Sequence, residues 1–530
     1  MSRPNLAPGE ILPLVRRLSG APDPLALYAA LSDQGRSADS LLLESADAAT
    51  GLGEKSILLP RSMLRLECRG RAVTATPLSP NGYALGSWLR DALANEAQVR
   101  REPDHDVFTF PPEPDGERNE HARLRQTGPL DALRAAVLRP HLVSEPAALA
   151  HLAAGVFAYD LVDQLERLPA PAADPLGFPD FVFWIPEQAL ILDHVHRSTT
   201  ILSLVVGGGD AEAIYHDAVR AVEQLSQAVE TARSTIHGDG GAPTSKATAV
   251  TVDLDDQAYG LIVERLQRHI VAGDVFQAVP SRTFTVPCAD PFAAYVRLRA
   301  ANPSPYMFYV RSPGATLLGA SPETAVKVSG ATRTVTLRPI AGTAPRGRGP
   351  DGAVDPELDA RLQAALLTDA KELAEHMMLV DLARNDVARV SRPGTRRVSK
   401  LLTVDRYQHV MHLVSEVEGE LAEGLDALHA YAASLNMGTL VGAPKIRAAE
   451  LLREVEPTKR GPYGGAVGYL THAGEMDTAI VIRSTYVTGG IAHVRAGAGV
   501  VLDSAPLSEA AETWRKAAAV LQAVTGEAVA

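Results

Sequence analysis

TDAKELAEHMMLVDLARND, running from Thr368 to Asp386, is the stretch on which the reading of the chain turns. Wound as a helix, it sets Leu373, Met377 and Val380 at i, i+4 and i+7 as an apolar stripe, with Glu372 and Glu375 one turn apart on another face. Like charges at that spacing repel, and Lys371 points elsewhere. The apolar run MMLVDL leaves little of the helix for solvent, so the acidic pair is expected to be half buried. Such a pair suits a hard cation like Mg²⁺, which takes one or two carboxylates and leaves its other positions to water and an anionic ligand.

The remaining sequence must supply the pocket for that ligand. At 530 residues it can bury a large core, and its length is that of two to four domains, or fewer in one large mixed architecture. A formal charge of −12 argues against a nucleic-acid partner, because phosphate binding needs a basic face. Cys68 and Cys288 stand far apart, which argues against a disulfide framework and a cysteine zinc site. The start, MSRPNLAPGEILPLVRRL, has no signal-peptide apolar run, and nowhere do about 18 to 20 apolar residues follow one another as a membrane span requires. A cytoplasmic protein without a membrane partner is expected.

Residues 1 to 20 read as a lead-in, PDPLALYAALSDQ as a helix, Leu41 to Leu43 as a strand and AAGVFAYDLVDQLERLP as a helix-like segment. The Gly, Pro and Ser stretch HGDGGAPTSKATA marks a boundary, dividing the chain into 1–245 and 246–530. Beyond it, short strands come in runs with helices between them. That order predicts an α+β class, a large mixed fold without regular βαβ winding.

Several short motifs carry chemistry. Ser321-Pro322-Glu323 places a carboxylate on a Pro-fixed turn directly after the apolar strand ATLLGA. Arg338 to Thr343 leads a strand into a Gly-Thr turn that could hold an anion. Asn436 to Lys445 invites a phosphate-loop reading, but Pro444 and Ile446 break G-x-x-x-x-G-K-[ST], so no nucleotide site is expected there. Arg495 to Gly499 permits close backbone approach to a ligand, and Glu512 follows on a helix within reach of a metal.

Taken in order, SPE, RPIAGT, KELAEHMMLVDLARND, HVMHLVSEVEG, NMGTLVGAPKIRA, GPYGGAVGY, DTAIVIRS and AGAGVVLDS resemble the chorismate-utilising enzymes, and anthranilate synthase component I most closely. The resemblance implies a β-sheet sandwich core with surrounding helices. It also implies Mg²⁺-dependent conversion of chorismate and ammonia to anthranilate and pyruvate, the first step of tryptophan biosynthesis. Glu375 and Glu512 match the metal ligands, with Glu372 behind them, while Glu323 and His412 match the catalytic acid and histidine. Substrate contacts carry over to Gly342, Thr343, Tyr463, Arg483, Gly497, Ala498, Gly499 and Lys516. Ser45, Lys55, Pro305, Tyr306 and Met307 match a feedback site for tryptophan, which the resemblance assigns to the 1–245 part, leaving 246–530 as the chorismate-binding catalytic part.

Ala341 stands where aminodeoxychorismate synthases with a covalent lysine carry that lysine, which leaves free ammonia as nucleophile. His409 is expected to be structural. Val441, Trp514 and Arg515 depart from the family pattern. Neither cysteine lies in a glutaminase elbow, so a separate glutamine amidotransferase subunit is expected to supply the ammonia, in a heterotetramer or similar assembly. The resemblance leaves 2-amino-2-deoxyisochorismate synthase and aminodeoxychorismate synthase component I as alternatives.

Overall fold

Two prolines bend the pair of strands about which the fold is built. Lys55–Arg69 and Phe181–Asp193 run antiparallel, and their register shifts between Leu58 and Leu64, where Pro60 lies on one strand and Pro186 on the other. Proline gives the ladder no N–H and is tolerated at bulges, which bend a strand and sharpen its twist. Before the bend, Leu58 and its neighbours pair with Ser40–Glu44; after it, Leu64 to Arg69 pair with Ala72–Pro77. One continuous ladder thus folds over into two antiparallel layers.

The computed structural model describes residues 6–46, 54–112, 120–143, 149–170, 173–234, 249–407 and 410–527. The first layer runs from Ser40–Glu44 through Tyr306–Ser312, Ala315–Ser321, Ser484–Thr488 and Ile491–Gly497 to Ser281–Pro287. The second runs from Phe181–Asp193 through Leu152–Phe157, Ala466–Thr471, Met476–Ile480, Thr324–Val328 and Thr334–Leu337 to Val410–Glu420. Between the layers lies a core that includes Leu41, Ile57, Val156, Trp184, Phe308 and Val467. Helices Pro291–Ala301 and Pro506–Thr525 cover one outer face, and Pro80–Ala92, Ala370–Ala388 and Ala427–Ser434 the other. This is the α+β sandwich the sequence predicts.

Strands on either side of the 245/246 division hydrogen-bond to each other: Ser40–Glu44 with Tyr306–Ser312, and Leu152–Phe157 with Ala466–Thr471. Most of the HGDGGAPTSKATA stretch, like His409, lies outside the described residues. Two local expectations need correction. Within the supposed lead-in, Glu10–Ser19 is a strand paired to Ser198–Val206. AAGVF is a fully buried strand whose small apolar residues fit between its neighbours, followed by a 3₁₀ turn at Tyr159–Gln164. No helix among the described residues is long and apolar enough to cross a membrane.

The acidic helix begins where the Asp369 side chain accepts from the N–H groups of Lys371 and Glu372, at 2.9 and 3.0 Å. Its buried stripe differs from the expected one. Met377 is 44% exposed, and the packed face is His376, Leu379, Val380, Ala383, Asp386 and Val387. Two buried polar contacts set this rotation: His376 Nε2 to Ser415 Oγ at 2.6 Å, and Asp386 to Lys445 Nζ at 2.6 Å. Apolar periodicity is blind to both. The lysine that failed as a phosphate-loop residue is therefore a structural cation, and it also donates to the Ser434 carbonyl at 3.1 Å.

Removing one member of a buried ion pair costs up to about 3–5 kcal/mol. Lys445→Met should accordingly lower the denaturation midpoint sharply, and adding Asp386→Leu should recover most of the loss. A double variant no more stable than the single would contradict this role for the pair.

Candidate active site

A cavity of about 650 Å³ opens where the acidic helix, the final helix and several strand ends meet. It is lined by Glu323, His412, Gly342 and Thr343, by Tyr463, Arg483, Gly497 and Gly499, and by Glu375, Glu512 and Lys516. These residues are scattered in sequence, and the fold brings them to one place. Ala498 is the exception: it is buried, and its N–H is committed to the Pro280 carbonyl at 3.2 Å and the Tyr259 hydroxyl at 3.3 Å.

Glu323 owes its position to the bend after Ala315–Ser321. Its N–H donates to Ser321 Oγ at 3.3 Å and its carbonyl accepts from Ile480 N at 3.0 Å, so the turn is held from both sides. Burial pushes the carboxyl up to about 8, while the Thr439 hydroxyl and Lys516 ammonium pull the other way. At neutral pH the group holds its proton and can donate it. His412 Nδ1 lies 3.2 Å from the Gly342 carbonyl and 3.0 Å from Thr343 Oγ1. The carbonyl can only accept, so Nδ1 carries the hydrogen and Nε2 is left as an acceptor. Burial lowers the imidazole pKa and favours this neutral form. Gly342 has φ +74°, and a Cβ there would meet Leu413 Cδ1 at 3.0 Å and Glu372 Oε2 at 3.2 Å.

Carboxylates crowd the opposite wall. Glu372 and Glu375 come from one helix and Glu509 and Glu512 from the other. Burial raises the Glu372 carboxyl, and repulsion from Glu375, Asp369 and Glu512 adds to it. Glu509 is raised by burial and, in part, by Glu512. Burial acts on Glu512 too, but Lys516 Nζ, 2.7 Å away, helped by Arg515 and Arg483, overrides it and holds that carboxyl low. Glu372 and Glu512 thus repel each other across the two helices. No group of three metal-ligating side chains is preformed among the described residues, so an ion here would complete its shell with water and ligand oxygens, as Mg²⁺ commonly does. Gln277, which the sequence reading missed, donates to Glu375 Oε1 at 3.2 Å. Its own Oε1 is buried without a partner, and a Cβ on Gly499 would come within 2.6 Å of its Nε2.

Arginines at the cavity divide into bound and available. Arg495 reaches Ser281 Oγ, Lys459 O and Glu456 Oε2 at 2.8, 2.7 and 3.0 Å, and Glu456 also binds Arg460 at 2.6 Å. That network is scaffold. Arg483 donates to the Lys516 carbonyl at 3.0 Å, and no carboxylate lies within ion-pair distance of it among the described residues. Its φ of +50°, unusual for a side-chain-bearing residue, costs on the order of 1 kcal/mol and marks a place where position matters more than comfort. Ala341 is in the cavity wall and offers no amine. Of the departures from the family pattern, Val441 packs in a core cluster and Trp514 lies against Phe284 with ring centroids 4.5 Å apart and planes tilted by 55°, whereas Arg515 lines the cavity.

A second cavity, of about 300 Å³, is lined by Ser45, Lys55, Pro305, Tyr306 and Met307 together. The Ser45 hydroxyl is buried there with no hydrogen-bond partner among the described residues.

The family model for chorismate binding enzymes matches residues 95–522. The chain belongs to that family. Among its relatives, anthranilate synthase component 1 of Vibrio cholerae is 48% identical over 95% of this chain and 94% of the relative. The pyocyanine-specific anthranilate synthase component 1 of Pseudomonas aeruginosa is 48% identical over 92% of this chain and 90% of the relative. The crystal structure of anthranilate synthase component I from Streptococcus pneumoniae superposes with a TM-score of 0.67 at 30% identity, covering 88% of this chain and 92% of that one. The match spans the acidic helix, most of the final helix and the strand ends that line the larger cavity.

The protonated form of Glu323 is the useful one, so turnover should fall as pH rises through about 8 when free ammonia is held constant. Between the ordinary carboxyl pKa of 4.5 and that value the folded state binds the extra proton, so this group's contribution to stability also declines as pH rises. Glu323→Gln should cut kcat roughly 10² to 10⁴-fold and remove that limb of the profile. A limb that persists in Glu323→Gln would assign it elsewhere.

Proposed function

We propose that this chorismate-binding enzyme is the large component of an anthranilate synthase, converting chorismate and ammonia to anthranilate, pyruvate and water. The observation that carries the reading is a proton-bearing Glu323 in the same cavity as an arginine without a carboxylate partner and a wall of carboxylates. Chorismate is a dianion. Arg483 offers a bidentate fork to one carboxylate, and the glycine backbones let the ring approach closely. Ammonia adds at C2 as the C4 hydroxyl leaves, taking the Glu323 proton and departing as water. The unpartnered Gln277 Oε1 is an acceptor for an ammonia N–H, and the bare His412 Nε2 can take a proton as the ring aromatises and pyruvate is released. Glu375 and Glu512 would hold Mg²⁺, with Glu372 at one of its waters. When bound, the ion neutralises the ring carboxylate and makes the ring a better electron sink.

Ammonia is proposed to come from a separate glutamine amidotransferase subunit, in a heterotetramer or similar assembly. Both thiols are free and buried; burial pushes Cys288 up to about 11 and Cys68 higher still, so neither supplies the thiolate a glutaminase needs. The second cavity is proposed to bind tryptophan as feedback inhibitor. Its volume suits a small amphipathic ligand, and its free Ser45 hydroxyl awaits a polar group. The pyocyanine-specific relative gives weight to a role outside tryptophan synthesis, and retention of the enolpyruvyl group would make the protein a 2-amino-2-deoxyisochorismate synthase.

The isolated chain, given chorismate and Mg²⁺, should produce fluorescent anthranilate with ammonium and none with glutamine. An amino product that keeps its enolpyruvyl mass, or robust use of glutamine by the chain alone, would overturn the corresponding part of the proposal.

A further inference from the structure

A short run of contacts leads from the smaller cavity to the bend that carries Glu323, which lines the larger one. Tyr306 lines the smaller cavity and, in the strand ladder, lies directly opposite Ser321. Its hydroxyl is 3.1 Å from Asp477 Oδ1 and 3.0 Å from Thr324 Oγ1. A phenol has one proton, and burial keeps that proton on Tyr306. Given to the acidic Asp477, it leaves the phenol oxygen to accept from Thr324. The Thr324 hydroxyl therefore joins a residue of one cavity to the neighbour of Glu323, which lines the other.

The opposite edge of the bend leads to the same place. The Glu323 carbonyl accepts from Ile480 N at 3.0 Å, and Thr324 pairs with Ala479. Asp477 and Ala479, on that strand, also line the smaller cavity. Lys327 approaches Asp477 at 3.4 Å from the strand after the bend. A ligand in the smaller cavity that moves Tyr306 or Asp477 thus pulls on both attachments of a short buried turn. Buried, close-packed elements transmit such shifts instead of absorbing them.

We propose that Tyr306 and Thr324 are positioning residues for Glu323, and that a ligand in the smaller cavity controls catalysis by moving the 321–324 bend through their hydroxyl contact. This rests on the reading of that cavity as the tryptophan site, and it adds the physical route. Coupling between two sites is reciprocal, so chorismate must weaken tryptophan binding by the same factor by which tryptophan weakens chorismate binding.

The test compares wild type, Thr324→Val and Thr324→Ser in two measurements: L-tryptophan binding by calorimetry, with and without chorismate, and inhibition of anthranilate formation. In Thr324→Val the dissociation constant for tryptophan without chorismate should change less than about threefold, while the half-inhibitory concentration rises about tenfold or more and chorismate ceases to weaken tryptophan binding. Thr324→Ser, which keeps the hydroxyl, should restore the coupling. Inhibition in Thr324→Val that matches wild type would overturn the route, as would loss of tryptophan binding itself or failure of Thr324→Ser to recover. Wild type that binds no tryptophan would instead remove the underlying assignment of the cavity, and the inference with it.

Discussion

Negative charge that the protein leaves unneutralised is the constraint on which the catalytic cavity depends. Glu372 and Glu375 on one helix face Glu509 and Glu512 on another, and burial with mutual repulsion raises Glu372 and Glu509. Lys516 forms an ion pair with Glu512 and acts more weakly on Glu509. Such a wall would be a liability in a structural core. Beside a cavity it suits the cation proposed above, which would leave coordination positions for an anionic substrate.

Holding that wall in place takes buried polar contacts of another kind. The Lys445 and Asp386 pair and the His376 to Ser415 bond fix the rotation of the acidic helix. Glu456 ties Arg460, Arg495 and Ser281 into one cluster beneath the glycine-rich strand end. Arg495 is committed to this cluster, whereas Arg483 makes no ion pair with a carboxylate among the described residues. Charged residues at a site thus sort into scaffold and chemistry by what they already bind.

Much of this was legible in the sequence, and the misses share a cause. The acidic helix falls on the stretch the sequence marks, with a local cap at Asp369, but Met377 turned outward because contacts with Ser415 and Lys445, distant in the chain, decide the rotation. Glu10–Ser19 reads as a lead-in until Ser198–Val206 is there to pair with it. Gln277 sits in no motif with a chemical signature; only the bridge from Gln277 to Ala443 and the approach of Gly499 place it against Glu375. Ala498 lies between two glycines of the cavity wall, yet past the strand end its N–H is turned to the Pro280 carbonyl and the Tyr259 hydroxyl. The motif residues converged because the family pattern records a three-dimensional arrangement that spacing alone does not encode.

The most direct measurement is divalent-ion binding followed by electron paramagnetic resonance, with Mn²⁺ as the probe, in the presence and absence of chorismate. The account predicts one ion whose affinity rises when chorismate is added, and loss of that ion in Glu375→Gln and in Glu512→Gln while both variants remain folded. An ion bound as tightly by those variants as by the wild type would contradict it.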